Sequence, residues 1–175
     1  GYAGLLGIYK SIDRTLYDAI PATDVRKSAF GADYRNYKFE DATFFEGDYV
    51  YMRVAEMYLM EAEALARGGD DEGAAQALYS LVSTRDSGYA LSSNTGQDLI
   101  DEILIQRRIE LWGEGFAWFD MKRNNVALER DYAGSNHALF GNFNFPVGDN
   151  SFLFQIPESE LNNSEFINAG DQNPL

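Results

Sequence analysis

The residues that could carry chemistry in this chain are few in kind. There is one histidine, His137, and there are no cysteines among 175 residues. Thiol catalysis, disulfides, Cys-ligated zinc and iron–sulfur clusters are excluded together. A single imidazole leaves little scope for a His-rich metal site or a Ser-His-Asp triad. No metal site and no cofactor is expected. Carboxylates are abundant instead: 28 Asp and Glu stand against 14 Lys and Arg, for a net charge of −14. Paired carboxylates can hydrolyse glycosidic bonds, but at this density pairs arise by chance, and that reading ranks third. So acidic a chain is repelled by a phosphate backbone, so nucleic acid is not an expected partner.

The patterned charges sit in segments that read as helices. Val54, Met57, Tyr58, Ala62 and Leu65 recur at helical spacing, which predicts a helix over Val50 to Arg67. Met52, Leu59 and Ala66 lie on its other side, and a helix apolar nearly all round is buried between several neighbours. Its charges, Arg53, Glu56, Glu61 and Glu63, then need partners, because a buried unpaired charge costs on the order of several kcal/mol. Arg107 and Arg108 lie beside the apolar stripe of a later helix. A mutual pair between Glu63 and Arg107 or Arg108 is the simplest solution. More broadly, Glu63 or Glu56 is expected to meet Arg107, Arg108 or Arg53. Asp120 is placed to cap or to pair with Arg123 at i, i+3. The expected structural network is Arg53, Glu56, Glu63, Arg107, Arg108, Glu110, Asp120 and Arg123.

Four helices are predicted in all. Gly68-Gly69 ends the first, and Asp70-Asp71-Glu72 places negative charge at the start of the second, over Asp71–Thr84. Its inner face is Ala74, Ala77, Leu78, Leu81 and Val82. Together the two helices occupy a span close to the tetratricopeptide (TPR) period of about 34 residues, although an ordinary αα-hairpin fits equally well. Ser92-Ser93-Asn94-Thr95 offers N-cap oxygens for a third helix over Gln97–Trp112, with Ile100, Leu104 and Leu111 on one stripe. A short amphipathic helix over Phe116–Asn124 carries Trp118, Phe119 and Met121, and core packing is the preferred role for Trp118 and Phe119. Two helix pairs in succession point to an array of antiparallel helices.

The remainder is less regular. Residues 1–49 lack long helical periodicity, and Tyr34–Phe39 alternates as a short strand or extended segment would. Residues 125–152 have loop chemistry. Phe152–Pro157 could form a short strand, ended or held at an edge by Pro157. Residues 1–40 carry six basic and five acidic groups, while 41–175 carry eight and 23, so the acid load lies late in the chain. No run of about 18 apolar residues exists to span a membrane as a helix.

Three segments in order resemble the SusD/RagB family of surface nutrient-binding lipoproteins of Bacteroidetes. Arg53-Val-Ala-Glu-Met-Tyr-Leu-Met-Glu-Ala-Glu-Ala64 is similar to the family's R-x-A-E-x-x-L-x-x-A-E-A helix. Arg107-Arg-Ile-Glu-Leu-Trp-Gly-Glu-Gly-Phe-Ala-Trp-Phe-Asp-Met-Lys-Arg123 resembles R-R-x-E-L-x-x-E-G-x-x-W-F-D-L-x-R. Ile156-Pro-Glu-Ser-Glu160, with the closing Gln172-Asn173-Pro174, is similar to the family's I-P-x-x-E and its N-P ending. Asp24-Val-Arg26 also looks like a family feature. Gln106 and Ala117 depart from the commonest family residues, Glu and Arg or His.

The resemblance implies a mainly α fold, with TPR-like antiparallel helix pairs in an α-α superhelix, long irregular loops and little β. It implies a non-catalytic nutrient-binding protein on the extracellular face of the outer membrane. Such a protein captures oligosaccharide, or peptide, for a TonB-dependent barrel transporter beneath it. The lipid anchor would be an N-terminal Cys that this chain does not contain. The 175 residues correspond to the C-terminal portion of a family member, and the N-terminal portion becomes an expected partner. A TPR-type interaction scaffold without a small-molecule ligand is the alternative. The Ile-Pro-Glu-Ser-Glu and Gln-Asn-Pro tail argues against it, because a plain TPR array ends in a polar capping helix.

Carbohydrate recognition uses flat aromatic faces for the apolar side of a pyranose, with amides and carboxylates for its hydroxyls. Residues 131–150 combine these groups, so Tyr132, Asn136, Phe140, Asn142, Phe143 and Asn144 are the candidate ligand-binding residues. The competing reading is a loop whose aromatics pin it in place. A last expectation concerns the missing portion: without it the first helix should leave an apolar face open, involving Met52, Leu59 or the aromatics of residues 1–45.

Overall fold

The computed structural model describes residues 10–39, 46, 48 and 50–174. It is mainly helical with little strand. The described residues fall into two compact units, one up to Phe116 and one from Ala117.

The first unit is built on three long helices, α2 (Val54–Arg67), α3 (Asp71–Val82) and α4 (Gly96–Glu110), after a short α1 (Arg14–Asp18). In α2 the buried stripe is Ala55, Leu59, Ala62, Glu63 and Ala66, spaced as one helical face. This stripe packs against both α3 and α4. The small residues Ala62 and Ala66 of α2 and Ala74, Ala75 and Ala77 of α3 share the core with Leu59, Leu78, Leu81 and Val82. Leu99, Ile100 and Ile103 of α4 complete it. The hairpin turns where Gly69 adopts φ +85°, a left-handed conformation that costs glycine little. Asp70 then caps α3 by accepting from the Gly73 amide at 2.9 Å.

All four predicted helices form, with shifted ends. Val50–Arg53 is not helical: the chain is extended at Arg53, whose φ is −127° and ψ 142°, and α2 starts at Val54. Thr95 is the N-cap of α4 but makes no side-chain capping bond. Ser92 and Asn94 donate instead to the Glu102 carboxylate nearly two turns into the helix, beside the Tyr89 hydroxyl at 2.6 Å. The start of α4 is held from α3, where both Asp71 oxygens accept from the Gly96 amide at 3.1 Å.

A second core in this unit joins the early segment to the end of α4. Ile12, Leu16, Ile20 and Phe30 pack with Ile109, and Tyr17, Tyr34 and Trp112 rim them. Tyr34–Phe39 is not a strand: Ser11 pairs with Arg35 and Phe30 with Asn36 in isolated bridges, Tyr34 itself has φ +66°, and Lys38 and Phe39 lie in a turn. A further bridge ties Asp24 to Asp86, just beyond α3.

The expected open apolar face on α2 is present in altered form. Met52 and Val54 are more than 70% exposed, and Met57, Tyr58 and Met60 are also exposed. Leu59 is not on that face; it is fully buried, because it falls in phase with Ala55, Ala62 and Ala66. Of the early aromatics, Phe30 is buried and Tyr37 and Phe39 are partly exposed. Tyr2, Tyr9, Phe44 and Phe45 lie outside the described residues.

The second unit holds α5 (Ala117–Arg123), a ribbon of β1 (Leu128–Glu129) and β2 (Asn144–Phe145), and α6 (Glu158–Asn163). The two strands are antiparallel, with Leu128 opposite Phe145 and Glu129 opposite Asn144. Trp118 stacks on Phe152 with ring centroids 4.9 Å apart, and Phe145 and Phe154 adjoin them. Phe119, expected in a core, is exposed, because it lies one residue round the helix from Trp118. Phe152–Pro157 is not a strand. A 3-10 turn ends at Phe152, and the chain beyond is held by the tail. The Gln172 carboxamide accepts from the Ile156 amide at 2.8 Å and donates to the Ile156 carbonyl at 3.0 Å. It stands in for a neighbouring strand, and Asn173 adds a bond to the Phe154 carbonyl at 2.6 Å. The Ile-Pro and Gln-Asn-Pro segments are thereby one structural feature.

Candidate functional site

Two arrangements concentrate polar chemistry, one in each unit. The first is centred on Glu110, the last residue of α4, which is buried. Arg53 Nη1 donates to its Oε1 at 2.7 Å. Arg85 donates from Nε and Nη2 at 3.3 Å each, and Arg26 Nη1 lies 3.4 Å from Oε2. Three guanidiniums from three separate segments therefore share one carboxylate. Burial pushes the Glu110 carboxyl up, but the hydrogen bonds and charges of Arg85 and Arg53 outweigh it and hold it below the usual carboxylate range.

The surroundings extend the network on both sides. Arg26 is clamped by Asp24, with Nη2 at 2.6 Å from Oδ2, and its Nη2 also reaches Gln106 Oε1 at 2.6 Å. Gln106 thus accepts from a guanidinium without adding a charge. Arg53 Nη2 reaches Glu114 Oε1 at 2.6 Å. Lys38 Nζ donates to Glu114 and to the carbonyls of Glu110 and Trp112. Burial lowers the Lys38 pKa, against the raising effect of Glu114. The turn that presents Glu114 requires Gly113: its φ is +77°, and a Cβ there would meet the Phe39 ring at 2.5 Å.

Of the expected network, Arg53 and Glu110 meet directly. Arg107 is buried, with Nη2 4.0 Å from Glu56. Glu63 accepts from Arg67, four residues along its own helix, at 2.8 Å. Asp120 pairs with Arg123 at 2.8 Å as predicted. Arg108 does not face the core; it is exposed, because a residue adjacent to Arg107 points about a quarter-turn away. Sequence reasoning did not assign Lys38, Arg85 and Glu114 to the network. Arg85 and Lys38 lie outside any periodic helical pattern, so only their proximity in space reveals the role.

The second arrangement is the loop from Arg130 to Asn144, closed at its base by β1 and β2. Asn144 Oδ1 accepts from the amides of Arg130 and Asp131 at 2.8 and 2.9 Å, and its Nδ2 reaches the Asp131 carbonyl at 3.2 Å. Asn142 Nδ2 donates to Asp131 Oδ1 at 3.0 Å. Ser135 Oγ donates to the Arg130 carbonyl at 2.6 Å. Phe143 packs on Phe145 with centroids 4.9 Å apart, and the Arg130 guanidinium lies over its ring. Tyr132 and Asn136 are half-buried. Phe140 is different: it sits in a 3-10 turn with Leu139, and both are more than 90% exposed. The loop therefore uses Asn144 for its own closure and offers Phe140 to solvent. Among the described residues, no cluster of three or more His, Asp or Glu could hold a metal ion.

The model of the SusD family matches residues 25–175. The chain belongs to the SusD family. SusD-like protein P38 of Formosa agariphila is 34% identical over 88 residues, which is 46% of this chain and 18% of that protein. The crystal structure of a SusD-like carbohydrate binding protein from Bacteroides vulgatus superposes with a TM-score of 0.70 at 28% identity, over 86% of this chain and 39% of the other. A SusD superfamily protein from the same organism shares the fold, with a TM-score of 0.68 at 24% identity, over 87% of this chain and 36% of the other. The chain spans well under half the length of these SusD-family relatives. The residues that carried the resemblance prove to be largely architectural: Arg53 and Glu110 join two motif segments, and Gln172 joins the third to the tail.

Proposed function

We propose that this chain is part of a non-catalytic binding protein that captures oligosaccharide at the outer cell surface. Its membership of the SusD family carries this reading, together with the carbohydrate-binding relative of the same fold. The chemistry agrees. The motif carboxylates Glu63, Glu110, Glu114 and Asp120 are each held by an arginine, so none is poised as a general acid or nucleophile. The exposed Phe140 ring supplies the flat apolar face that a pyranose stacks on, with Tyr132, Asn136, Asn142 and Phe143 in the same loop. In this reading the protein is lipid-anchored in the outer membrane through an N-terminal Cys outside this chain. It passes glycan to a TonB-dependent barrel. The rest of the family length covers the exposed face of α2, formed by Val54, Met57 and Met60, together with Met52 just before it.

The test is calorimetric titration of an oligosaccharide panel against the wild-type chain and Phe140→Ala. Saturable binding that weakens in the variant supports the reading. Binding to no glycan, or equal affinity in both chains, overturns the assignment of the site to this loop.

A further inference from the structure

The Glu110 network opens on a recess of about 300 Å³ lined by Val25, Arg26, Ala29, Phe30, Lys38, Arg53, Arg85, Ile109 and Glu110. Four of these side chains are cationic and one is anionic. They come from the 3-10 turn after Asp24, the segment around Lys38, the residue before α2, the turn after α3 and the end of α4. Glu110, Asp24 and Glu114 hold Arg26, Lys38 and Arg53 from behind, and the buried Asp86 adjoins Asp24 through a backbone bridge. A guanidinium edge left without a partner at such a recess is free to take an oxyanion.

The least engaged of the four cations is Arg85. Arg26 is fixed by Asp24 and Gln106 at 2.6 Å, and Arg53 by Glu110 and Glu114 at 2.7 and 2.6 Å. Lys38 spends its donors on two carbonyls and Glu114. Arg85 makes only two long contacts, both to Glu110 at 3.3 Å, and its side chain is 33% exposed. A guanidinium has five N–H donors in a planar fork. The Nη1 edge of Arg85 therefore has no partner among the described residues, and it borders a recess walled on its apolar side by Val25, Phe30 and Ile109.

We propose that this recess binds a single oxyanion group, with Arg85 as the ligand-contacting arginine. The group is the sulfate ester or carboxylate of an acidic sugar. The sugar context rests on the glycan-binding reading above, whereas the oxyanion chemistry does not. An arginine fork matches sulfate and carboxylate oxygens in two-point geometry, which a lysine cannot reproduce.

The experiment is an NMR titration of the 175-residue chain with sodium sulfate, D-galacturonate and D-glucose at constant ionic strength, observing the Arg85 side-chain Nε–Hε resonance. Sulfate or galacturonate should shift it saturably and glucose should not. The stronger of the two identifies the ester or the carboxylate as the better ligand. Arg85→Gln should weaken binding at least tenfold, and Arg85→Lys should weaken it less. Val25→Trp, at an exposed position on the wall, should block the recess without disturbing the fold, which keeps the test decisive if the Arg85 variants are unstable. Linear, non-saturating shifts with both anions, or unchanged affinity in folded Arg85→Gln or Val25→Trp, overturn the proposal. Anion binding without binding of any oligosaccharide would leave the recess assigned and defeat the glycan reading alone.

Discussion

Arg53 Nη1 lies 2.7 Å from Glu110 Oε1, joining the residue before α2 to the last residue of α4 across 57 positions of sequence. Arg53 is the N-cap of α2, with extended backbone, and its side chain is held by Glu110 and Glu114. The contact makes Glu110 the point at which the early segment, the α2/α3 hairpin and α4 are tied together.

Glu110→Gln should therefore be strongly destabilising. It keeps the shape but leaves Arg26, Arg53 and Arg85 around a neutral group, and breaking a buried ion pair costs about 3–5 kcal/mol. Chemical denaturation should show that loss at pH 7. The folded Glu110 carboxyl titrates below its unfolded value of 4.5. As pH falls, the unfolded chain takes up this proton first. The stabilisation is thus complete above about pH 4.5 and disappears as pH drops through the folded value. Wild type should lose stability over that acid window and Glu110→Gln should lose less. Parallel acid limbs would show that Glu110 is not the linked group.

Gly113→Ala should cost about 1–2 kcal/mol from the positive φ alone, plus a steric part from the Phe39 ring. Measured in the Phe39→Ala background, the steric part should vanish and the backbone part remain. Additive losses in the double variant would contradict this division.

The two sides of α2 should respond oppositely to truncation. Leu59→Ala, in the core, should cost about 2–5 kcal/mol. Val54→Ala, on the exposed face, should change stability by less than about 0.5 kcal/mol. Urea midpoints of the two variants give the comparison directly. Similar losses would mean that the exposed face is already covered.

This contrast marks what the sequence makes legible. Helical periodicity, the Gly68-Gly69 stop and the negative charges of Asp70-Asp71-Glu72 locate α2 and α3, since all of these act within a turn or two of the chain. Periodicity put Leu59 and Met52 on one side, but α2 starts at Val54, so Met52 lies before the helix and is exposed while Leu59 packs in the core. Likewise, i, i+3 spacing foretells Asp120–Arg123, but Arg26 and Arg85 reach Glu110 from 84 and 25 residues away. The β1–β2 ribbon has two residues per strand, too few to show alternation. In the loop, residue types alone nominated Asn144 and Phe140 equally. Hydrogen bonding separates them, committing Asn144 to closure and leaving Phe140 exposed.

Phe140→Ala should accordingly leave stability within about 0.5 kcal/mol of wild type, since the ring is 92% exposed. It should reduce glycan affinity by on the order of 1 kcal/mol, the scale of one aromatic stacking contact. Thermal melts and titrations of the same samples separate the two effects. A large fall in melting temperature would show that the ring supports the loop instead.

The central claim is that this chain holds oligosaccharide without transforming it. Saturation-transfer NMR on oligosaccharides incubated with the chain tests both halves at once. The account predicts transfer from protein to pyranose ring protons, with the anomeric signals unchanged after a day. Absence of transfer across the panel, or the growth of new reducing-end signals, would contradict it.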